Sequence, residues 1–102
     1  MGLHRIISGG QTGVDRAALD AAMDANFPAG GWCPRGRRAE DGTIDRRYPL
    51  VEHWSQDYPP RTAQNVLDAD GTVILYAGEI SGGTAFTRDV CLEQERAHLL
   101  ID

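Results

Sequence analysis

Two short glycine-rich segments hold the residues best suited to chemistry. The first reads Ser8-Gly9-Gly10-Gln11-Thr12-Gly13, and the second reads Ser81-Gly82-Gly83-Thr84. Each lies between a predicted strand and a predicted helix. Glycine permits a sharp turn and lets a ligand approach the backbone closely. The first amides of a helix lack internal partners and therefore attract anions. For each segment the alternative is a tight turn that binds no ligand. In the second segment, Ser81 or Thr84 would then serve only to cap the following helix.

The pair of segments is more informative than either one alone. In an open α/β sheet, ligands bind beyond the carboxyl ends of the strands, where the strand order reverses. We expect the strands before the two segments to be neighbours, so that both turns face one crevice. A phosphate or diphosphate suits such a crevice better than a neutral group. The predicted phosphate-binding residues of the turns are Gly9, Gly10, Gln11, Thr12, Gly13, Ser81, Gly82, Gly83 and Thr84.

Arginine supplies the candidate cations, since the chain contains no lysine. The predicted binding set includes Arg35, Arg37, Arg38 and Arg61. In NAD-binding domains an acidic residue about 20 positions after the glycine turn holds the ribose hydroxyls. Arginines follow the second predicted strand here, which disfavours plain NAD and favours an additional phosphate. The alternatives are a solvated loop neutralised by nearby acids and, for Arg61, a simple pairing with an acid.

Carboxylates and metal ligands give weaker signals. Glu40 and Asp41 lie in a long polar stretch and are the candidate acid–base or ligand-contacting groups, although exposed carboxylates usually only interact with water. The three histidines show no metal-ligand spacing, and no catalytic serine or Cys-His signature is present. We therefore predict no metal held directly by protein side chains.

Composition excludes several classes of protein. The 102 residues carry a net charge of −5, which disfavours nucleic-acid binding. No apolar run approaches the roughly 20 residues that span a bilayer, so no membrane association is expected. The distant Cys33 and Cys91 are interpreted as reduced thiols, which predicts a cytoplasmic protein. The length indicates one domain over residues 1–102.

The elements that position the two turns alternate along the chain. Apolar periodicity and glycine or proline stops predict strands at 4–8, 32–33, 72–76 and 98–101, and helices at 14–25, 61–68 and 85–96. Residues 35–60 lack periodicity, apart from local order expected at 48–54. Strands that alternate with helices favour an open parallel sheet of about four strands with helices on both faces, a three-layer α/β/α fold.

The segment 8–20 resembles the opening motif of the family named molybdenum carrier proteins, which is classed within the Rossmann-like SLOG superfamily. The resemblance covers nearly the whole chain and continues at 30–34, 36–37, 39–42, 48–50, 61–62, 65–66, 70–72 and 82–84. It implies a Rossmann-like domain that binds a nucleotide-like or pterin-type phosphorylated ligand. For the better studied carrier relatives this ligand is the molybdenum cofactor, whose metal is held by the pterin dithiolene rather than by protein.

Two departures from the resemblance matter. Related enzymes that cleave nucleoside monophosphates have a glutamate where this chain has Thr87, which disfavours that activity. Family members usually continue with another strand, whereas this sequence stops at Asp102, so the domain is expected to be shortened at its C-terminus. A last strand at an open edge invites association, which predicts a homo-oligomer.

Three hypotheses follow. The first is a binding or carrier protein for a small phosphorylated ligand. The second is an enzyme acting on a nucleotide metabolite, with Glu40 or Asp41 in place of the missing glutamate. The third is a regulatory or interaction module that requires a partner.

Overall fold

A computed structural model describes residues 2–102 as a mixed α/β fold with three helices and eight short strands. The helices are α1 (Val14–Asp24), α2 (Tyr58–Asp68) and α3 (Gly82–Glu93). The strands are β1 (Ile6–Ile7), β2 (Ala29–Gly30), β3 (Trp32–Cys33), β4 (Arg38–Ala39), β5 (Gly42–Thr43), β6 (Val51–Glu52), β7 (Thr72–Leu75) and β8 (His98–Ile101). No helix in the described range is long and apolar enough to cross a membrane.

The strands are joined in pairs. β1 pairs with β2, β3 with β6 and β7 with β8, all in parallel, whereas β4 and β5 form an antiparallel pair. Parallel pairing agrees with the alternation of strands and helices in the sequence. Within residues 2–102 these four pairs are not hydrogen-bonded into one continuous sheet, and the expected direct pairing of the strands before the two glycine turns is absent.

Two helices begin earlier than predicted, and the long polar stretch is partly ordered. α2 starts at Tyr58 because Pro59 and Pro60 occupy its first turn, where a missing N–H costs nothing. α3 starts at Gly82 rather than at residue 85. Three strands, β4 to β6, lie within 35–60. Strands of two residues are too short to produce a detectable apolar alternation.

Gly31 lies between β2 and β3, and the segment formed by these two strands is hydrogen-bonded to β1 and to β6. The amide of Ser8 donates to the carbonyl of Gly30 at 2.9 Å, and the amide of Val51 donates to that of Gly31 at 2.9 Å. The φ of Gly31 is +134°, and a Cβ there would overlap the carbonyl oxygen of Ser8. Only glycine therefore lets β1 approach this segment so closely.

The buried residues form two clusters. The larger consists of Leu19, Cys33, Ala39, Ile44, Tyr48 and Leu50. The smaller joins Val66 of α2 to Val90 and Cys91 of α3. The face of the β7–β8 pair formed by Val73, Leu75, Leu99 and Ile101 remains exposed, with Val73 61% and Leu99 57% accessible. The first cluster supports the first glycine turn, and the second positions α3 behind the second turn.

Candidate functional site

The first glycine turn is held in place by hydrogen bonds of Ser8 and by packing against Leu50. Buried Ser8 donates from its hydroxyl to the carbonyl of Asp15 at 2.7 Å and accepts from the amide of Gly10 at 3.2 Å. Gly10 has φ +75°, and a Cβ there would overlap Leu50. Gly13 caps α1 without a side-chain hydrogen bond. The amide of Arg16 donates to the carbonyl of Gln11 and that of Ala17 to the carbonyl of Gly13, so within residues 2–102 the amides of Val14 and Asp15 are the ones left available to an anion.

Arg16 braces the same turn from the helix. Its guanidinium donates twice to the carbonyl of Gly10, at 3.1 and 2.9 Å, and pairs with Asp41 at 2.7 Å. The hydrogen bond from Arg16 holds the pKa of the Asp41 carboxyl below its usual value. Asp41, a candidate acid–base group, is thus ionised and engaged in supporting the turn.

Arg61 reaches from the first turn of α2 onto the glycine turn. A Cβ on Gly9 would overlap the Nη1 atom of Arg61. The guanidinium therefore occupies the space that a side chain at position 9 would fill. Arg61 is only 8% exposed, and its Nε has no hydrogen-bond partner among residues 2–102. Burial lowers the pKa of Arg61, and the nearby Asp15 opposes that shift. A buried guanidinium without a hydrogen-bonding acceptor is suited to receive an anion.

Asp15 is the acidic residue that lies next to the guanidinium of Arg61. Its Oδ2 lies 4.0 Å from Nη1 of Arg61 and accepts from the amide of Gln11 at 3.3 Å. Burial raises the pKa of Asp15, while Arg61, the Gln11 amide and then Arg16 act in the opposite direction. Asp15 is not among the residues predicted from the sequence, yet it lines the cleft. Its position in the first helical turn after the glycines was the available signal.

Both glycine turns border one open cleft of about 800 Å³. From the predicted set the cleft is lined by Gln11, Thr12, Glu40, Arg61, Gly82, Gly83 and Thr84. Apolar residues of β7 and α3, notably Val73, Leu75 and Phe86, form another part of its wall. Thr87 also lines it and donates its hydroxyl to the carbonyl of Gly83 at 2.9 Å. The cleft thus combines a charged, polar wall with an apolar one.

The other predicted residues lie outside this lining. Gly9, Gly10 and Gly13 shape the first turn without bordering the cleft, and Ser81 caps α3 without a side-chain hydrogen bond.

The arginines after β3 also lie outside the cleft lining. Arg37 donates to the carbonyls of Ile44, Leu50, Asp45 and Tyr48. Arg38 lies 5.4 Å from the centre of the Tyr58 ring, and Arg35 is exposed. Arg37 thus supports the backbone of its own loop, and its contact with a ligand stays a prediction. Across the part of the chain that the structure describes, no group of three or more histidine, cysteine or acidic side chains is placed to hold a metal ion.

Comparison with known proteins gives two matches. Residues 6–102 match the family model described as the circularly permutated YpsA SLOG family. A solved structure from Syntrophus aciditrophicus SB, named "putative molybdenum carrier protein", is 48% identical, with a TM-score of 0.96. The match covers 98% of this chain and 63% of that one, so the chain spans less than two thirds of the relative's length. No curated protein matches.

Proposed function

The chain belongs to the circularly permutated YpsA SLOG family, and from this premise we propose that it binds a small phosphorylated ligand of nucleotide-like or pterin type in the cleft between its glycine turns. The observation that supports this most directly is Arg61, a buried guanidinium with an unpartnered Nε beside the N-terminus of α1. An oxyanion in the cleft would accept from the Nη groups of this guanidinium and from the amides of Val14 and Asp15 as well.

The shape of the cleft supports a ligand larger than a simple anion. Its volume of about 800 Å³ falls within the range usual for pockets that hold small organic molecules. Val73, Leu75 and Phe86 offer an apolar wall for a planar ring. We propose that the phosphate contacts Arg61 and the first turn while the ring lies towards β7 and α3 in a Rossmann-like arrangement.

The molybdenum cofactor is one ligand of this type, and the name of the Syntrophus relative supports testing it. The residues present fit its phosphate end, because Arg61 and the amides of Val14 and Asp15 would supply hydrogen-bond donors to a phosphate group. The cofactor's own dithiolene holds its metal, so the protein's contribution would be to bind the phosphate and shield the ring. We propose the role of a carrier for such a ligand.

A binding experiment tests this proposal. Isothermal titration of the molybdenum cofactor and a panel of nucleoside monophosphates is compared between the wild-type protein, Arg61→Met and Arg35→Met. Arg61→Met should weaken binding about 10–100-fold, because hydrogen bonds to a charged group contribute about 1.5–3 kcal/mol. Arg35 is exposed and outside the cleft, so its variant should bind normally. Unchanged affinity in Arg61→Met would overturn the proposal.

An enzyme acting on a nucleotide metabolite is the second candidate, and the position of Glu40 in the cleft lining favours it. Glu40 would then serve as the acid or base, whereas Asp41 is occupied by Arg16. Turnover should disappear in Glu40→Gln, with ligand binding retained. Asp41→Asn is the comparison variant and should keep most of the activity. Absence of turnover by the wild-type protein across the nucleotide panel leaves binding as the function.

We also propose a cytoplasmic homo-oligomer. Cys33 and Cys91 are free thiols, as expected in a reducing compartment. Leu99 and Ile101 of β8 are exposed apolar residues outside the cleft lining, and they give a second copy a surface to cover. Sedimentation velocity should show a dimer or larger species that Leu99→Asp converts to a monomer. A monomeric wild-type protein at tens of micromolar would contradict this.

A further inference from the structure

Asp15 places a negative charge inside the proposed anion site. Its Oδ2 lies 4.0 Å from the Nη1 of Arg61, and the residue lines the same cleft. Only one hydrogen bond to this carboxylate is present in the described chain, from the amide of Gln11 at 3.3 Å. An anion that reaches Arg61 and the amides of α1 must therefore approach a carboxylate with room for further hydrogen bonds.

An ionised carboxylate can only accept hydrogen bonds. A bare oxyanion also only accepts, so its oxygen atoms would repel those of Asp15. A ligand oxygen that carries a proton would instead donate to Asp15, forming a short charge-assisted hydrogen bond. Hydrogen phosphate and the monoanion of a phosphate monoester carry such a proton, whereas sulfate and molybdate carry none at neutral pH.

We propose that Asp15 is a specificity-determining residue that selects protonated phosphate groups over sulfate and molybdate. The inference rests on the proposed function, because it takes Arg61 and the first turn to be the anion site. It implies that free molybdate is not the ligand. Any molybdenum brought by this protein would arrive within an organic cofactor held by its phosphate.

The charged groups around Asp15 are consistent with this role. Arg61 faces it from α2, Arg16 follows it on α1, and Glu40 enters the cleft from the loop between β4 and β5. Arg16 is engaged with Asp41 and the carbonyl of Gly10. Burial raises the pKa of Asp15, and Arg61 is the largest influence in the opposite direction. Arg61 is therefore shared between Asp15 and the incoming anion.

Competition between two anions of similar shape tests the inference. The dissociation constants of inorganic phosphate and sulfate are measured by titration calorimetry at pH 7.5 for the wild-type protein, Asp15→Asn and Asp24→Asn. Asp24 is an exposed acid at the other end of the same helix, so its variant removes an equal charge. The wild-type protein and Asp24→Asn should bind phosphate at least tenfold more tightly than sulfate. In Asp15→Asn the ratio should approach one, because the amide can donate to sulfate.

Each outcome separates this inference from the proposed function. Equal binding of phosphate and sulfate to the wild-type protein, with both lost in Arg61→Met, overturns the role of Asp15 and leaves the anion site intact. An unchanged ratio in Asp15→Asn has the same meaning. Binding of neither anion overturns the proposed site and the role of Asp15 together.

A second measurement needs only the wild-type protein and applies even if Asp15→Asn fails to fold. A phosphate monoester loses its second proton near pH 6. Affinity for methyl phosphate should therefore rise as the pH falls from 8 to 6, while affinity for sulfate stays constant. Methyl phosphate binding that is constant or weakens over this range contradicts the inference.

Discussion

The two glycine turns have similar sequences and very different surroundings. In each, a serine and two glycines follow a strand. Ser8-Gly9-Gly10 precede α1, whereas Ser81 caps α3 and Gly82-Gly83 are its first two residues. At Gly9 the space of a side chain is filled by Arg61, and at Gly10 by Leu50. At Gly82 and Gly83 nothing lies within 4 Å of an added Cβ.

This difference distinguishes a braced turn from an unbraced one, although their sequence patterns are alike. The first turn is fixed in advance by hydrogen bonds from Ser8 and Arg16 and by the seated guanidinium of Arg61. Such a turn would lose little conformational freedom on binding the proposed anion. The second turn has backbone groups facing the cleft and no comparable bracing, so it is suited to adapt to the rest of the ligand. A glycine motif alone therefore does not say which role applies.

The largest expected effect is at Gly31, which holds β1 and the first turn in place. In Gly31→Ala the methyl group would overlap the carbonyl of Ser8 and the residue would keep a left-handed φ. We expect a loss of about 3 kcal/mol or more in the free energy of unfolding, measured by urea denaturation. Gly36→Ala shares the positive φ without a contact and should lose only about 1–2 kcal/mol. Equal losses would mean that close approach to β1 is unimportant.

The serines of the two turns should differ by a smaller amount. Ser8→Ala removes one buried and one part-buried hydrogen bond and should lower the free energy of unfolding by about 1–2 kcal/mol. Ser81 makes no capping hydrogen bond, so Ser81→Ala should change it by no more than about 0.5 kcal/mol. The same denaturation assay measures both variants. A larger loss in Ser81→Ala would show that the second turn is braced as well.

Alanine at the glycines tests the contrast in binding. Gly9→Ala displaces the guanidinium of Arg61 and should weaken phosphate binding at least tenfold, about 1.4 kcal/mol. Gly83→Ala meets no neighbour and should change the affinity less than about threefold, with helix stability unchanged or slightly improved. Calorimetric titration with inorganic phosphate measures both. Equal weakening would place both turns in direct contact with the anion.

The smallest effects concern pH. The pKa of Asp41 is lowered by Arg16, so its stabilisation is present above pH 3.8 and is lost as the pH falls through its folded value. The pKa of Asp15 is raised by burial, so its contribution is present below pH 3.8 and is lost as the pH rises through its folded value.

Thermal unfolding between about pH 3 and pH 7 measures both groups. At neutral pH Asp15→Asn should raise the Tm slightly, and Asp41→Asn should lower it slightly because an exposed pair contributes little. A Tm that changes in the same direction for both variants would contradict the assignment of these two environments.

Local patterns predicted much of this arrangement. The helix at α1, the strands β7 and β8 and the positions of both turns follow from apolar spacing and from glycine stops. Contacts between distant residues were not predictable in this way. Arg61 lies 52 residues from Gly9, and no periodicity shows that one fills the space left by the other. Sequence spacing likewise gives no sign that Arg37 donates to four carbonyls, because those contacts depend on the folded loop.

The hydrogen bonds around Gly31 also bear on how the protein unfolds locally. Neighbouring carbonyls of Gly30 and Gly31 accept the amides of Ser8 and Val51, so one local fluctuation of this segment would release both protons to solvent. In deuterium-exchange measurements these two amides should gain label at matching rates, although 43 positions separate them in the chain. Matching rates would show that the first glycine turn and β6 belong to one cooperative unit.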